Sequence, residues 1–125
     1  MKALLFHSKN FTSRNSEEEQ HFVEGKSVIT FLTFEKDDTK EKLGDLISEI
    51  KKAHIDFGTS RLVIFPFAHL SNELLECEKA STLFNLLEEA LKKENLAYSI
   101  LPFGTDKEFF LHVFGHPGNV RFRSF

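Results

Sequence analysis

Apolar and polar positions alternate in two periods along this chain, and the switches between them predict its elements. Leu62-Val63-Ile64-Phe65 is a short continuous apolar run. Such a run suits a strand buried on both faces of a sheet. Pro66 cannot donate to a sheet ladder, so the strand is expected to end there or shift to an edge. Lys2 to His7 reads as a first strand, and Val28 to Phe34, rich in β-branched and aromatic residues, as a second. Gly25-Lys26 is a plausible turn between them. Lys9 to Gln20 is polar and reads as a loop or hairpin crossing, with the solvated run Glu17-Glu18-Glu19 inside it.

Helical spacing takes over after Phe34. Asp38 with Glu41 three residues on is a capping-box variant. Leu43, Ile47, Ile50 and His54 then share one face of a first helix, with Gly58 beyond its end. A second helix is predicted over about Lys79 to Glu94, with Phe84, Leu87 and Leu91 on one stripe and Glu88–Lys92 as an outer i, i+4 pair. Asn95 is a plausible stop. Tyr98 to Phe103, closed by Gly104, reads as strand four. Lys107 to Phe114 reads as strand five, ended by Gly115-His116-Pro117-Gly118. The order β-β-α-β-α-β-β implies an α/β fold, a mixed sheet with helices on one face. No repeat, linker or low-complexity segment interrupts it, so residues 1–125 read as a single domain.

Composition adds limits. The 15 Phe against 1 Tyr and 0 Trp make a core of bulky rings with few polar handles. A net charge of −3 gives no sign of a general nucleic-acid binder. Lys2, Lys9, Arg14, Arg121 and Arg123 could still gather into a local basic face. With 1 Cys there is no internal disulfide and no CxxC metal site. Cys77 reads as a reduced, partly buried thiol, which fits a cytoplasmic protein. The start is too short and too quickly polar for a signal peptide. No two histidines and a carboxylate share a ligand spacing, so neither a metal nor a cofactor is expected. His21, His54 and His112 read as surface or half-buried positions without partners.

The candidate chemistry sits where strands end. His69 follows the Leu62 strand, and α/β folds place their sites at such ends. Read alone, His69 is better explained by capping the strand end, and Lys107 by solvation on a hairpin. Three motifs follow one another: Pro66-Phe67-Ala68-His69-Leu70-Ser71, Pro102-Phe103-Gly104-Thr105-Asp106-Lys107 and Gly115-His116-Pro117. Gly104 allows a tight turn or a close backbone approach.

With the opening Leu4-Leu5-Phe6-His7-Ser8, these motifs resemble the N-terminal editing domain of archaeal threonyl-tRNA synthetases. That family shares its fold with D-aminoacyl-tRNA deacylases. The resemblance runs nearly end to end and is weakest from Lys9 to Phe34. It implies hydrolysis of mischarged aminoacyl-tRNA, removing L-serine from Ser-tRNA(Thr), by a synthetase domain or a free-standing protein. It implies Lys107 as the residue that holds the attacking water and the aminoacyl group, and His69 beside the terminal ribose. The walls it suggests are His7, Ser8, Pro66, Phe67, Ala68, Phe103, Gly104, Thr105, Asp106 and His116. Read from the residues alone, His116 is a turn residue. Two positions depart from the family pattern. Asp106 replaces a usual aromatic and is placed to pair with Lys107; Val120 stands where a glutamate is usual. The implied partners are the 3′ end of threonine tRNA, a threonyl-tRNA synthetase and a second copy of the chain, docked through phenylalanines of strand five or the tail. A non-catalytic tRNA- or synthetase-binding module and a D-aminoacyl-tRNA deacylase are the alternatives.

Overall fold

The computed structural model describes residues 1–15 and 21–125. The acidic run Glu17–Glu19 and the side chain of His21 therefore lie outside the described residues. The elements are β1 (Lys2–Asn15), β2 (His21–Glu24), β3 (Ser27–Thr33), α1 (Leu43–Phe57), β4 (Arg61–Pro66), α2 (Cys77–Lys93), β5 (Ala97–Ile100), β6 (Lys107–Val113) and β7 (Val120–Ser124). The sheet is mixed: β1 runs antiparallel to β2, β3, β6 and β7, whereas β3–β4 and β4–β5 are parallel. The fold is the expected α/β class with both helices on one face of the sheet.

The central strands explain the continuous apolar runs. All of β3 is buried, and so are Leu62 to Phe65 of β4. Alternate side chains enter two separate cores. Val28, Leu32, Leu62 and Ile64 pack with Leu46, Ile50, Leu87 and Leu91 of the helices. Ile29, Phe31, Val63 and Phe65 pack on the other face with Phe11 and Leu101. A strand that must satisfy two apolar faces cannot alternate with polar residues. β4 ends at Pro66, where the ladder loses its donor.

Several boundaries differ from the sequence reading. β1 does not stop at His7; it continues through the polar stretch to Asn15 over 14 residues. The reason is pairing on both edges. Its first part lies between β3 and β7, and its second part between β2 and β6, with a bulge between Ser8 and Asn10. The tail forms β7 against Lys2 to Phe6. Strand five is shorter than expected, ending at Val113, and strand four ends at Ile100. α2 starts earlier, at Cys77, which is exposed rather than partly buried.

The Asp38–Glu41 capping box does not form. No side chain caps either the short 3₁₀ turn at Lys40–Lys42 or α1. Asp38 is buried and its carboxylate is taken by stronger partners: the Met1 ammonium at 2.7 Å, Lys42 Nζ at 2.9 Å and the Glu35 N–H at 2.6 Å. α1 does end at Gly58, in the left-handed region at φ 68°. His54 is not partnerless: it is buried, and its Nδ1 lies 3.0 Å from Thr59 Oγ1.

Candidate functional site

The carboxyl ends of β3 and β4 open into a cleft of about 630 Å³. Its position follows from the parallel pairing, which leaves two strand ends and the loops beyond them side by side. Two of the sequence motifs contribute to its walls. Pro66, Phe67, Ala68 and His69 come from the end of β4 and the 3₁₀ turn Ala68–Leu70. Phe103, Gly104, Thr105, Asp106 and Lys107 come from the β5–β6 connection. The floor is aromatic, with Phe34, Phe65, Phe84 and Phe109. A cleft of this size and character suits a small ligand recognised by a few polar groups in an apolar surround.

Lys107 is the cation of the inner wall. Its ammonium donates to the Thr105 carbonyl at 3.0 Å and lies 5.5 Å from the centre of the Phe65 ring. Burial lowers its pKa from the ordinary lysine value, and the charge of Asp106 partly opposes that shift. The charge of Asp106 thus acts on Lys107, and the ammonium donates a hydrogen bond to the main chain. Gly104 adopts φ 79°, and a side chain there would meet nothing within 4 Å. Its requirement is therefore the turn conformation, not a close approach. Thr105 Oγ1 is buried without a hydrogen-bond partner among the described residues. His69, also in the cleft lining, is exposed and its ring abuts Phe67 at 5.1 Å.

His7, Ser8 and His116 are not in this cleft. Along β1, Lys2 pairs with Thr33 at the cleft, whereas His7 pairs with Val28. That separation is five residues of strand, about 17 Å. Ser8 is fully buried and its hydroxyl donates to the His112 carbonyl at 3.4 Å. His7 Nδ1 lies 2.6 Å from His116 Nε2. His116 Nδ1 is 2.9 Å from the Pro117 carbonyl and must donate to it, so Nε2 of the neutral ring accepts from His7. The His7 ring stacks on Phe57 at 4.5 Å, and Arg121 covers Phe57 at 4.7 Å. This cluster fastens the β6–β7 turn to β1 and α1. Val120 pairs with Phe6 at the same end, so in the single chain its position does not line the cleft.

Three of the five cations considered for a basic face are engaged by acids. Arg121 pairs with Asp56 at 2.8 Å, Arg123 with Glu49 at 2.9 Å and Lys2 with Glu35. β7 turns its arginines toward the acids of α1 and leaves Val120 and Phe122 exposed. Sequence reasoning missed Cys77 and Phe109 as cleft residues and assigned Phe84 to the core. Only Phe84 carried a signal, as part of an apolar helical stripe.

Fold and site together define an α/β domain of the deacylase-like type, with its cleft at the ends of parallel strands. A solved structure described as a probable eukaryotic D-amino acid tRNA deacylase superposes with a TM-score of 0.74 at 9% identity, covering 98% of this chain and 97% of that one. This likeness establishes the fold. The sequence profile of the archaea-specific editing domain of threonyl-tRNA synthetase matches residues 1–125, and the chain belongs to that family. The threonine–tRNA ligase of Thermofilum pendens is 30% identical over 94% of this chain and 21% of its own length. The threonine–tRNA ligase editing subunit of Saccharolobus solfataricus is 34% identical over 73% of this chain and 23% of its own length. The chain thus spans about a fifth of the length of the curated relatives it matches. No helix among the described residues is long and apolar enough to cross a membrane.

Proposed function

We propose that the domain hydrolyses the ester of mischarged aminoacyl-tRNA, removing L-serine from Ser-tRNA(Thr). One observation carries the reading: the two motif segments that bear His69 and Lys107 line one aromatic cleft. Family membership supports it.

Water attacks the ester carbonyl carbon, and the tetrahedral oxyanion collapses by breaking the bond to the ribose oxygen. That oxygen takes up a proton, leaving free serine and an intact tRNA end. Lys107 keeps two N–H bonds beyond the one given to Thr105, enough to orient the water and to bind the oxyanion. His69 acts at the ribose side, as hydroxyl contact or proton acceptor. An aminoacyl ester is already reactive, so positioning and charge stabilisation suffice.

Selectivity is steric. Threonine's extra methyl clashes where serine fits, and a single methyl discriminates by about 1–3 kcal/mol in a binding pocket. The partners in this reading are the threonine tRNA 3′ end, a threonyl-tRNA synthetase and a second copy of the chain, in the cytoplasm. Phe110 and Phe122, each more than half exposed, are the candidate dimer contacts.

The test is single-turnover hydrolysis of Ser-tRNA(Thr) beside Thr-tRNA(Thr), with protein in excess. Fast loss of serine and sparing of threonine is the expected result. Hydrolysis of neither ester overturns the reading. A preference for a D-aminoacyl ester reassigns the substrate while keeping the cleft.

A further inference from the structure

The imidazole of His69 has no hydrogen-bond partner among the described residues; its ring only abuts Phe67. Its direction is therefore set by the backbone of the Ala68–Leu70 turn. The turn is fixed at its start by the Phe67 N–H, which donates to the Leu32 carbonyl at 2.9 Å. At its end the Ser71 N–H closes the turn on the Ala68 carbonyl at 3.4 Å, and a side chain ties it to the rest of the fold. Ser71 Oγ donates to Glu35 Oε2 at 2.5 Å and accepts from the Glu73 N–H at 3.0 Å.

Glu35 lies just past β3, outside the cleft lining, and its carboxylate is held at both oxygens. Oε1 accepts from the Met1 ammonium at 2.9 Å and Oε2 from Lys2 Nζ. Main-chain bonds hold its neighbours in register with the segment after the turn. Lys36 N–H donates to the Glu73 carbonyl at 2.9 Å, and Leu75 N–H to the Phe34 carbonyl at 3.1 Å. The Glu35 carboxylate is thus a fixed post, and Ser71 is the peg that ties the motif loop to it.

The geometry points to Glu35 and Ser71 as positioning residues for His69: they aim the imidazole across the cleft at the ribose side of the ester. This rests on the deacylase reading for its kinetic consequence, though the orientation itself does not depend on it. Neither residue lines the cleft. Ser71 sits in extended backbone at φ −147°, ψ 151°, a conformation that threonine adopts readily. Threonine keeps the hydroxyl, so Ser71→Thr is the rescuing variant.

The experiment compares the full chain with Ser71→Ala, Ser71→Thr, Glu35→Gln and the Glu35→Gln/Ser71→Ala double variant. The readouts are the single-turnover rate constant on Ser-tRNA(Thr), the protein concentration giving half that rate, and the His69 ring-proton resonance. Misaligning a reacting group costs about tenfold or more in rate. Ser71→Ala and Glu35→Gln are therefore each expected to slow the step about tenfold, with half-saturation moved less than about twofold. The double variant is expected to be no slower than the slower single, because both act through one link. Ser71→Thr is expected to recover the rate and the wild-type His69 resonance. The proposal is overturned if Ser71→Ala leaves rate and resonance unchanged, if Ser71→Thr is as impaired as Ser71→Ala, or if only the melting temperature falls. Should the wild-type chain hydrolyse neither ester, the deacylase reading fails. The resonance alone then decides the positioning.

Discussion

Replacing Lys107 by methionine removes the ammonium while keeping an unbranched apolar stem against Phe65. The ammonium has three N–H bonds, and Thr105 engages one of them at 3.0 Å. A hydrogen bond from a charged donor contributes about 1.5–3 kcal/mol. At 1.36 kcal/mol per decade of rate, that is about 10- to 150-fold. The phenylalanine floor keeps local screening weak, which places the expected loss near the upper end, about 10²-fold. Stability should barely move. Burial already disfavours the charged form of Lys107, and the methionine stem preserves the packing. A change in Tm within about 3 °C, under about 1 kcal/mol, is expected. The assay is single-turnover deacylation at pH 7 with protein in excess, beside a tRNA competition measurement that should change little. A folded Lys107→Met chain that hydrolyses at the wild-type rate would falsify the role given to this residue.

Three further outcomes follow from other parts of the molecule. Leu87 is fully buried between α2 and the sheet, so Leu87→Ala should cost about 2–5 kcal/mol in urea unfolding; a loss below about 1 kcal/mol would contradict the packing described. Burial alone would raise the pKa of Glu35, but Lys2, Ser71 and the Met1 ammonium outweigh it and hold it at about 2, below the ordinary 4.5. The folded state then binds fewer protons than the unfolded one, so this stability is complete above pH 4.5 and is lost as pH falls toward 2. Glu35→Gln should flatten that acid limb of the denaturation profile, and an unchanged limb would remove the cluster from the account. Burial lowers the pKa of His54 and, with help from His116 and Lys26, that of His7. Protonation therefore favours unfolding as pH drops below 6.5, and His54→Gln should show a shallower decline of the urea midpoint between pH 7.5 and 5.5 than the wild type; equal slopes would argue against it.

The sequence exposed the cleft more fully than it exposed the sheet. Pro66 marks a strand end by the hydrogen bond it cannot donate, Gly104 marks a turn in the β5–β6 connection, and both line the cleft. β1 was hidden beyond His7 because its inward positions include Ser13 and Asn15, which are buried without being apolar. Only partners on both edges make that stretch a strand. His7 and His116 are 109 residues apart, and nothing local reveals that they meet. The His-Ser and Gly-His-Pro motifs therefore looked like cleft residues when they build the other end of the sheet. Asp38 fits a capping pattern in sequence, yet the Met1 ammonium and Lys42 offer it charged partners that a helix N–H cannot match.

β1 is the first strand of the domain, and it pairs with four others. Its last neighbour, β7, is made only at Val120–Ser124. The Lys2–Phe6 ladder with β7 therefore has to wait for residues from the far end of the domain. Closing so long a loop adds only about 0.6 kcal/mol for each doubling of its length, so equilibrium hardly registers the delay. Kinetics do, because folding slows as contacts span more of the chain. A chain cut before Val120 keeps an open, apolar-flanked strand edge, the kind of surface on which other chains pair and aggregate.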